Sequence, residues 1–183
     1  MILVLSKSRL IARHLWLDAA DADRALPPAM LTRLAGRIAA SEGRHTGQIR
    51  ICAEAALPMS YLWRTQLASD GDDNLPDIIR QRAVMQFSKL RLWDTEHNNG
   101  VLIYLQMAEH AIEVVADRGL SSRVPHAEWL AMTRRMSESF RAGAFEEGLT
   151  TALEEVSMLL VTHFPQAAGQ ARRNELPDEP LVG

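Results

Sequence analysis

Acidic and amide side chains flank a short apolar run near the middle of the chain. Asp94 and Glu96 precede the pair Asn98-Asn99, and Asp117 follows the next apolar run. Carboxylate and amide oxygens are the ligands that hard cations such as Ca²⁺ and Mg²⁺ prefer. Asp94, Glu96, Asn98, Asn99 and Asp117 are therefore candidate ligands of a divalent cation, provided that the fold brings them together.

The elements around these residues predict that they converge. Val101–Leu105 is continuously apolar, as expected of a central strand covered on both faces, and Ala111–Ala116 forms a second strand after a turn near Glu109. Antiparallel pairing of the two strands then places Gly100 and Val101 roughly opposite Asp117 and Arg118. The guanidinium of Arg118 would lie beside the cation, where it suits a phosphate group.

A rival site is predicted at the other end of the sheet. Gln48–Glu54 alternates with period two, so it is a third strand that ends at Glu54. Glu109 and His110 turn at that same end. Ligands of open α/β sheets tend to lie beyond the carboxyl ends of parallel strands, which favours this alternative. With a single parallel pair that rule has little force, so the Asn98 end ranks first.

Simpler explanations exist for each of these features. Asn-Gly is the commonest tight-turn pair, because both residues tolerate a positive φ. The acidic residues Asp70–Asn74 lack the spacing of an EF-hand, which predicts a solvated loop. Cys52 is the single cysteine and lies in an apolar strand, so we expect a buried structural thiol.

The remaining pattern is helical. Pro27-Pro28 begins a helix that Gly43 ends, and a second helix carries Ile79, Ala83, Phe87 and Leu90 on one face. Two further helices close the domain, with these apolar positions: Trp129, Met132, Met136, Phe140, Phe145, Leu149, Leu153, Val156, Leu160 and Phe164. Residues 58–77 are the least regular stretch.

This order of elements predicts an α/β fold. It is a three-layer α/β/α sandwich, Rossmann-like, with a small mixed sheet in which residues 48–54 and 101–106 are parallel because crossovers are right-handed. We expect a basic and apolar N-terminal segment at 1–26, one domain at 27–165 and a disordered tail at 166–183.

The distribution of charged and apolar residues argues against nucleic-acid binding and against a membrane-spanning segment. The net charge of −3 divides into +4 over residues 1–50 and −7 over the rest, with no basic and aromatic cluster for nucleic acid. The basic residues follow the apolar N-terminus, the reverse of a signal peptide, and no apolar run approaches the roughly 20 residues of a membrane span. The charged and apolar residues of Ser6–Leu17 do not separate onto two helix faces, which favours a helix packed on the domain. We expect a cytoplasmic protein, peripheral to the inner membrane if residues 1–17 instead bind a membrane surface or a membrane protein.

Several segments in order resemble the TPM domain family. They are Asn99–Leu105, Ile112–Val115, Gly119-Leu120 and Phe140–Gly148, preceded by a helix that ends at Leu92-Trp93. The resemblance covers roughly residues 28–164. It implies an α/β/α sandwich, and within the family acid phosphatase activity and Ca²⁺ binding have been proposed. Members include thylakoid-lumen proteins linked to photosystem II repair and many bacterial proteins; this chain resembles the short, stand-alone bacterial type.

The chain departs from the family pattern at two places. Many relatives have a longer loop with an Asp before Asn-Gly, where this chain has Asn98. Many have Gly-Tyr-Gly after the edge strand, where this chain has Asp117-Arg118-Gly119. One carboxylate is thus lost and another gained nearby, so Ca²⁺ or Mg²⁺ binding does not follow from the resemblance alone.

Two functions follow from these observations. The first is an interaction or regulatory module that associates with a membrane and binds a divalent cation. It is favoured because the sequence contains no evident nucleophile and base. The alternative, implied by the resemblance, is a metal-dependent, acid-phosphatase-like hydrolase of phosphate monoesters. The sequence does not specify the substrate, the partner or the oligomeric state.

Overall fold

A sheet of four strands forms the centre of the molecule, in the order β3-β2-β1-β4. The strands are β1 (Gln48–Glu54), β2 (Gly100–Gln106), β3 (Ala111–Ala116) and β4 (Leu181–Val182). The structure, a computed structural model, describes residues 10–17, 19–67, 74–167 and 174–183. Residues 70–73 of the loop predicted at 70–74 therefore lie outside the described residues, as do residues 1–9 of the N-terminal segment.

The pairing of the predicted strands is confirmed. β1 runs parallel to β2, with Gln48 beside Gly100, and β2 runs antiparallel to β3. The hairpin register differs from the predicted one by one residue, since Val101 pairs with Ala116. The reason is a tight turn between Gln106 and Ala111, in which His110 has a left-handed φ of 48°.

Helices cover both faces of the sheet. In chain order they are α1 (residues 10–16), α2 (Ala19–Ala25), α3 (Pro28–Glu42), α4 (Met59–Leu67), α5 (Leu75–Lys89), α6 (Arg118–Ser121), α7 (His126–Arg141) and α8 (Phe145–His163). Side chains of α2, α3, α7 and α8 share the larger apolar core with Ile49 and Ile51 of β1. Side chains of α4 and α5 share a second core with Cys52. The expected α/β/α sandwich is thus present.

Three helices were not predicted from the sequence, and α2 is the first of them. The stretch after Pro58 was predicted to be irregular, but it contains α4, whose Tyr61 and Leu62 are buried in the second core. α6 was not predicted because it has only four residues. α3 begins at Pro28 and is followed by Gly43, as predicted. In α7, Met132, Met136 and Phe140 are buried, and Trp129 packs partly buried against the same core.

The C-terminal residues add the fourth strand to the sheet. Residues 174–183, here called the tail segment, run beside β1, and Leu181–Val182 pair with Cys52 and Ala53 in parallel. The physical reason is that the outer edge of β1 has unpaired backbone groups, which the tail segment satisfies. In the described part of the chain, no helix has the length and apolarity needed to cross a membrane.

Candidate functional site

The loop before β2 contacts the residues that follow β3, as the hairpin pairing predicts. We call this region the turn edge: residues 94–100 together with 117–119. The Asp117 N–H donates to the carbonyl of Gly100, and the Gly119 N–H donates to the carbonyl of Asn98, both at 2.9 Å. A Cβ on Gly119 would lie 2.5 Å from the Asn98 carbonyl oxygen, so the two segments touch through their backbones.

Asn99 is the buried centre of the turn edge. Its N–H donates to Thr95 Oγ1 at 3.0 Å, and its Nδ2 donates to Thr46 Oγ1 at 3.1 Å. Asn98, not Gly100, has the left-handed backbone of the turn, with a φ of 52°. Gly100 is required for another reason: a Cβ there would overlap the Leu92 carbonyl oxygen. The turn is therefore confirmed, but the assumed role of its glycine was wrong.

The acidic candidates at the turn edge have different roles. Asp117 caps α6, because its Oδ1 accepts a hydrogen bond from the Arg118 N–H at 2.7 Å. Asp94 and Glu96 have exposed side chains, and so does Arg118. The Glu96 N–H donates to Glu175 Oε2 of the tail segment at 3.2 Å. Of these side chains, only that of Asp117 is packed into the fold.

Two buried oxygens at the turn edge lack a hydrogen-bond partner among the described residues, Asn99 Oδ1 and Asp117 Oδ2. They are the acceptors that a cation would satisfy. However, the described residues contain no group of three or more His, Cys, Asp or Glu side chains that could hold a metal ion. Ca²⁺ takes six to eight oxygen ligands, so these residues do not form a complete cation cage. Cation binding at the turn edge stays a prediction.

At the opposite edge, Glu54 lies in a buried polar network. Its carboxylate accepts hydrogen bonds from Arg82 on α5, where Nε donates to Oε2 at 2.7 Å and Nη2 donates to Oε1. Tyr104 Oη donates to Glu54 Oε2 at 2.7 Å, and Gln86 Nε2 donates to Oε1 at 2.5 Å. The hydrogen bond to Glu54 raises the pKa of Arg82, so the guanidinium carries its positive charge. The carboxylate is thus already occupied by protein donors.

Glu109, the second residue of the rival site, binds α1. Arg13 Nη2 donates to both oxygens of Glu109, at 2.5 and 2.6 Å. His14 Nδ1 accepts from the Leu57 N–H at 3.0 Å, which leaves Nε2 to donate to Glu109 Oε1 at 2.9 Å. His110 instead makes an edge-to-face ring contact with Phe145. Glu54, Glu109 and His110 therefore have separate partners.

The partners of Glu54 and Glu109 were not predicted from the sequence. Arg82 and Gln86 lie four residues apart on α5, a spacing that places both on one helix face. Tyr104 is the single hydroxyl-bearing residue of β2, and its register partner is Cys52. The spacing on α5 and the single hydroxyl of β2 were therefore sequence signals that could have indicated the partners of Glu54. Nothing in the spacing of Arg13 and His14 indicates Glu109, which is about a hundred residues away.

The two buried nucleophilic groups near Glu54, the Cys52 thiol and the Tyr104 hydroxyl, are unreactive. Burial, reinforced by the charge of Glu54, raises the pKa of the Cys52 thiol to about 12, so it is protonated at neutral pH. Burial and the same charge also raise the pKa of Tyr104. A protonated thiol is a poor nucleophile. We therefore find no activated cysteine or tyrosine at this edge.

The fold and the turn edge together define a small α/β/α domain with a mixed sheet. Comparison with protein families gives the more specific assignment. The chain belongs to the TPM domain family, whose model matches residues 19–159.

Solved structures contain a similar fold. The NMR structure of the BA42 protein from the psychrophilic bacterium Bizionia argentinensis superposes with a TM-score of 0.65. The alignment covers 85% of this chain and 93% of that one, at 24% sequence identity, so it supports the fold alone. No curated protein matches the chain.

Proposed function

We propose that this chain is a non-enzymatic interaction module that docks on an anionic membrane surface through α1 and the start of α4. The carrying observation is the exposure of Trp16, 86%, on a helix whose neighbouring residues are bound to the domain. Arg13 and His14 hold α1 to Glu109, while Leu15 beside them is 63% exposed. α1 is therefore fixed to the domain while its tryptophan side chain is exposed to solvent, so that side chain is available to bind a partner.

α4 has a second pair of exposed apolar side chains. Met59 and Trp63 are 42% and 62% exposed and lie four residues apart, on one face of the helix. The bond between His14 and the Leu57 N–H brings α1 next to the start of α4. We call Leu15, Trp16, Met59 and Trp63 the docking face. Exposed apolar side chains grouped on neighbouring elements mark interaction sites in soluble proteins.

A membrane surface is the favoured occupant because of the residue types. Tryptophan is enriched at membrane–water interfaces, where its ring is apolar and its N–H remains hydrated. Residues 1–50 carry a net charge of +4, and Lys7, Arg9 and Arg13 lie in or just before α1. Basic side chains near the surface add attraction to anionic lipids, of about 1 kcal/mol each.

Vesicle binding tests this proposal. The full chain should sediment with phosphatidylserine-containing vesicles, less with phosphatidylcholine alone, and less in high salt. Trp16→Ser and Trp63→Ser should each weaken binding. The control is Trp93→Ser, because Trp93 is 52% exposed but lies beside the turn edge. Equal loss in the control, or no binding by the unaltered chain, would refute the membrane assignment.

Divalent-cation binding at the turn edge is a second proposal. It is supported by the two buried acceptors without partners in the described structure, Asn99 Oδ1 and Asp117 Oδ2. Backbone amide NMR shifts during a Ca²⁺ or Mg²⁺ titration should move at 94–100 and 117–119. Asp117→Asn is a matched variant, because Asn also caps a helix but removes the charge. Shifts at Glu54 and Glu109 instead would favour the rival edge, and no shifts would reject both.

The alternative function, a metal-dependent phosphatase-like hydrolase, requires that cation to be bound first. Arg118, exposed at the first residue of α6, is the side chain we would assign to the phosphate group. Hydrolysis of an aryl phosphate by the unaltered chain, lost in Asp117→Asn, would support this alternative. Turnover that is unchanged in the variant would exclude Asp117 from the reaction.

A further inference from the structure

The tail segment is hydrogen-bonded to both ends of β1. At one end, the N–H groups of Glu175 and Leu176 donate to Gln48 Oε1 at 2.9 and 3.1 Å. At the other end, the Gly183 N–H donates to the carbonyl of Ala53 at 3.0 Å, and the Ala55 N–H donates to that of Gly183 at 2.9 Å. An extended peptide that adds to a sheet edge in this way resembles a bound ligand strand.

Apolar side chains anchor the tail segment on both faces of the sheet. Leu176 packs against the core that α4 and α5 form with Cys52, and Val182 packs against the larger core on the opposite face. Main-chain hydrogen bonds supply affinity in strand addition, and pockets for individual side chains supply specificity. The β1 edge thus has both parts of a peptide-binding groove.

Arg50 gives the groove its charge preference. It lies at the middle of β1, is 9% exposed, and its Nε has no hydrogen-bond partner among the described residues. Burial lowers the pKa of the guanidinium, and electrostatic interactions with Cys52, Glu179 and Asp178 oppose that effect. A buried cation with an open donor favours an anionic partner. Two of the opposing groups, Glu179 and Asp178, belong to the tail segment.

The pairing of the tail segment is short. β4 has two residues, although β1 has seven. Pro177 and Pro180 lack an N–H, so neither can donate a hydrogen bond to the sheet edge. A strand without these prolines can form more hydrogen bonds with β1 than the tail segment does.

We infer that the β1 edge is a recognition groove for an extended acidic segment of a partner protein, and that the tail segment fills it in the free chain. The partner segment combines two apolar anchors with one or two carboxylates between them, placed to reach Arg50. The tail segment then acts as an intramolecular competitor. The tail segment touches the turn edge at Glu175, which accepts the Glu96 N–H. The groove shares no residue with the docking face, so it stands or falls independently of the proposed membrane function.

A peptide competition experiment tests the groove. The probe is a fluorescent peptide with the sequence of residues 174–183, and the protein is the full chain. Leu176→Ser with Val182→Asp loosens the tail segment, and this variant should bind the probe at least about tenfold more tightly than the unaltered chain. Adding Arg50→Gln should reverse most of that gain. The control is Arg134→Gln, an arginine exposed on α7, which should have no effect.

Charge is tested with a second probe in which Asn and Gln replace Asp178 and Glu179. It should bind the loosened variant several-fold more weakly than the acidic probe, and the difference should shrink in high salt. Equal binding of the two probes, or binding that survives Arg50→Gln, would overturn the inference. Dimerisation of the loosened variant through its own tail segments would also overturn it, because it would assign the groove to a second copy of the chain.

The unaltered chain provides a measurement that does not depend on the loosened variant folding. Excess acidic probe should shift the amide signals of Leu176, Ala55 and Gly183, whose N–H groups define the ends of the groove. Shifts at these positions support displacement of the tail segment. Their absence at about a hundredfold excess of probe would refute the groove.

Discussion

The carboxylate of Glu54 and the guanidinium of Arg82 form a side-on ion pair between the end of β1 and the middle of α5. Both side chains are 11% exposed. Tyr104 and Gln86 donate further hydrogen bonds to the carboxylate, so its lone pairs are satisfied. A buried ion pair is tolerated when its remaining hydrogen-bonding groups are satisfied in this way.

Glu54→Gln should destabilise the protein strongly. Glutamine keeps the shape of the side chain but leaves the Arg82 charge buried without its counter-charge, a loss of about 3–5 kcal/mol. Urea unfolding followed by circular dichroism measures the difference in unfolding free energy. The matched control is Glu146→Gln, which breaks the exposed pair with Arg33 and should change stability little. Similar losses in the two variants would contradict a structural role specific to Glu54.

Gly100→Ala should also be destabilising, by more than about 1 kcal/mol, because the new Cβ would overlap the Leu92 carbonyl oxygen and the backbone would have to move. Gly36→Ala is the control. Gly36 is in α3 with nothing within 4 Å of its added Cβ, so alanine should stabilise by about 0.5–1 kcal/mol. An unchanged unfolding midpoint in Gly100→Ala would contradict the close contact between Gly100 and the Leu92 carbonyl oxygen.

The sequence predicted the centre of the fold well because the signals there are local. Each local signal predicts one structure. The continuous apolar run of β2 predicts a buried strand, and the proline and glycine that flank α3 predict where that helix begins and ends. The hairpin then fixed which ends of the sheet meet, and the contact of Asn98 with Gly119 confirms it. The register was displaced by one residue because the turn type cannot be read from Ala108-Glu109-His110.

The side-chain partners could not be predicted in the same way. The ion pair of Glu54 with Arg82 depends on how α5 is rotated over the sheet, and the sequence pattern specifies that rotation only approximately. β4 has only two residues, which is too short to show a periodic pattern, so the sequence of the tail segment does not predict a strand. Its order comes from contacts with Gln48 and the edge of β1, which exist only in the folded chain.

Cys52 should be almost inert towards an aromatic disulfide reagent at pH 8 in the native protein. Its thiol is buried and its pKa is raised to about 12, so labelling should occur only when the protein opens. Urea should therefore accelerate labelling in parallel with unfolding. Rapid labelling of the native state would show that the second core is open at this position.

The same pKa shift predicts how stability depends on pH. The pKa of Cys52 is raised from 9.0 in the unfolded chain to about 12 in the folded one, so its contribution is fully present below pH 9 and is lost as the pH rises towards 12. Cys52→Ala should fall less steeply in unfolding free energy over that range. Parallel pH curves for the two proteins would contradict the shift.

His14→Phe should release α1 from the domain. His14 is 4% exposed, and its Nδ1 accepts the hydrogen bond of the buried Leu57 N–H; phenylalanine fits the space but leaves that donor unsatisfied, at a cost of about 1–3 kcal/mol. The amide of Leu57 should exchange with deuterium faster in the variant. Arg13→Ala removes a half-exposed partner of the same carboxylate and should have a smaller effect.

His14→Phe and Arg13→Ala also distinguish the contribution of the position of α1 to vesicle binding from the contribution of its positive charge. Because His14 holds α1 beside the start of α4, His14→Phe should weaken vesicle binding even though Trp16 and Trp63 are both retained. Arg13→Ala should instead reduce the preference for anionic lipid while leaving α1 in place. If His14→Phe exposed the Leu57 amide to exchange without affecting vesicle binding, the two helices would not act as one docking face.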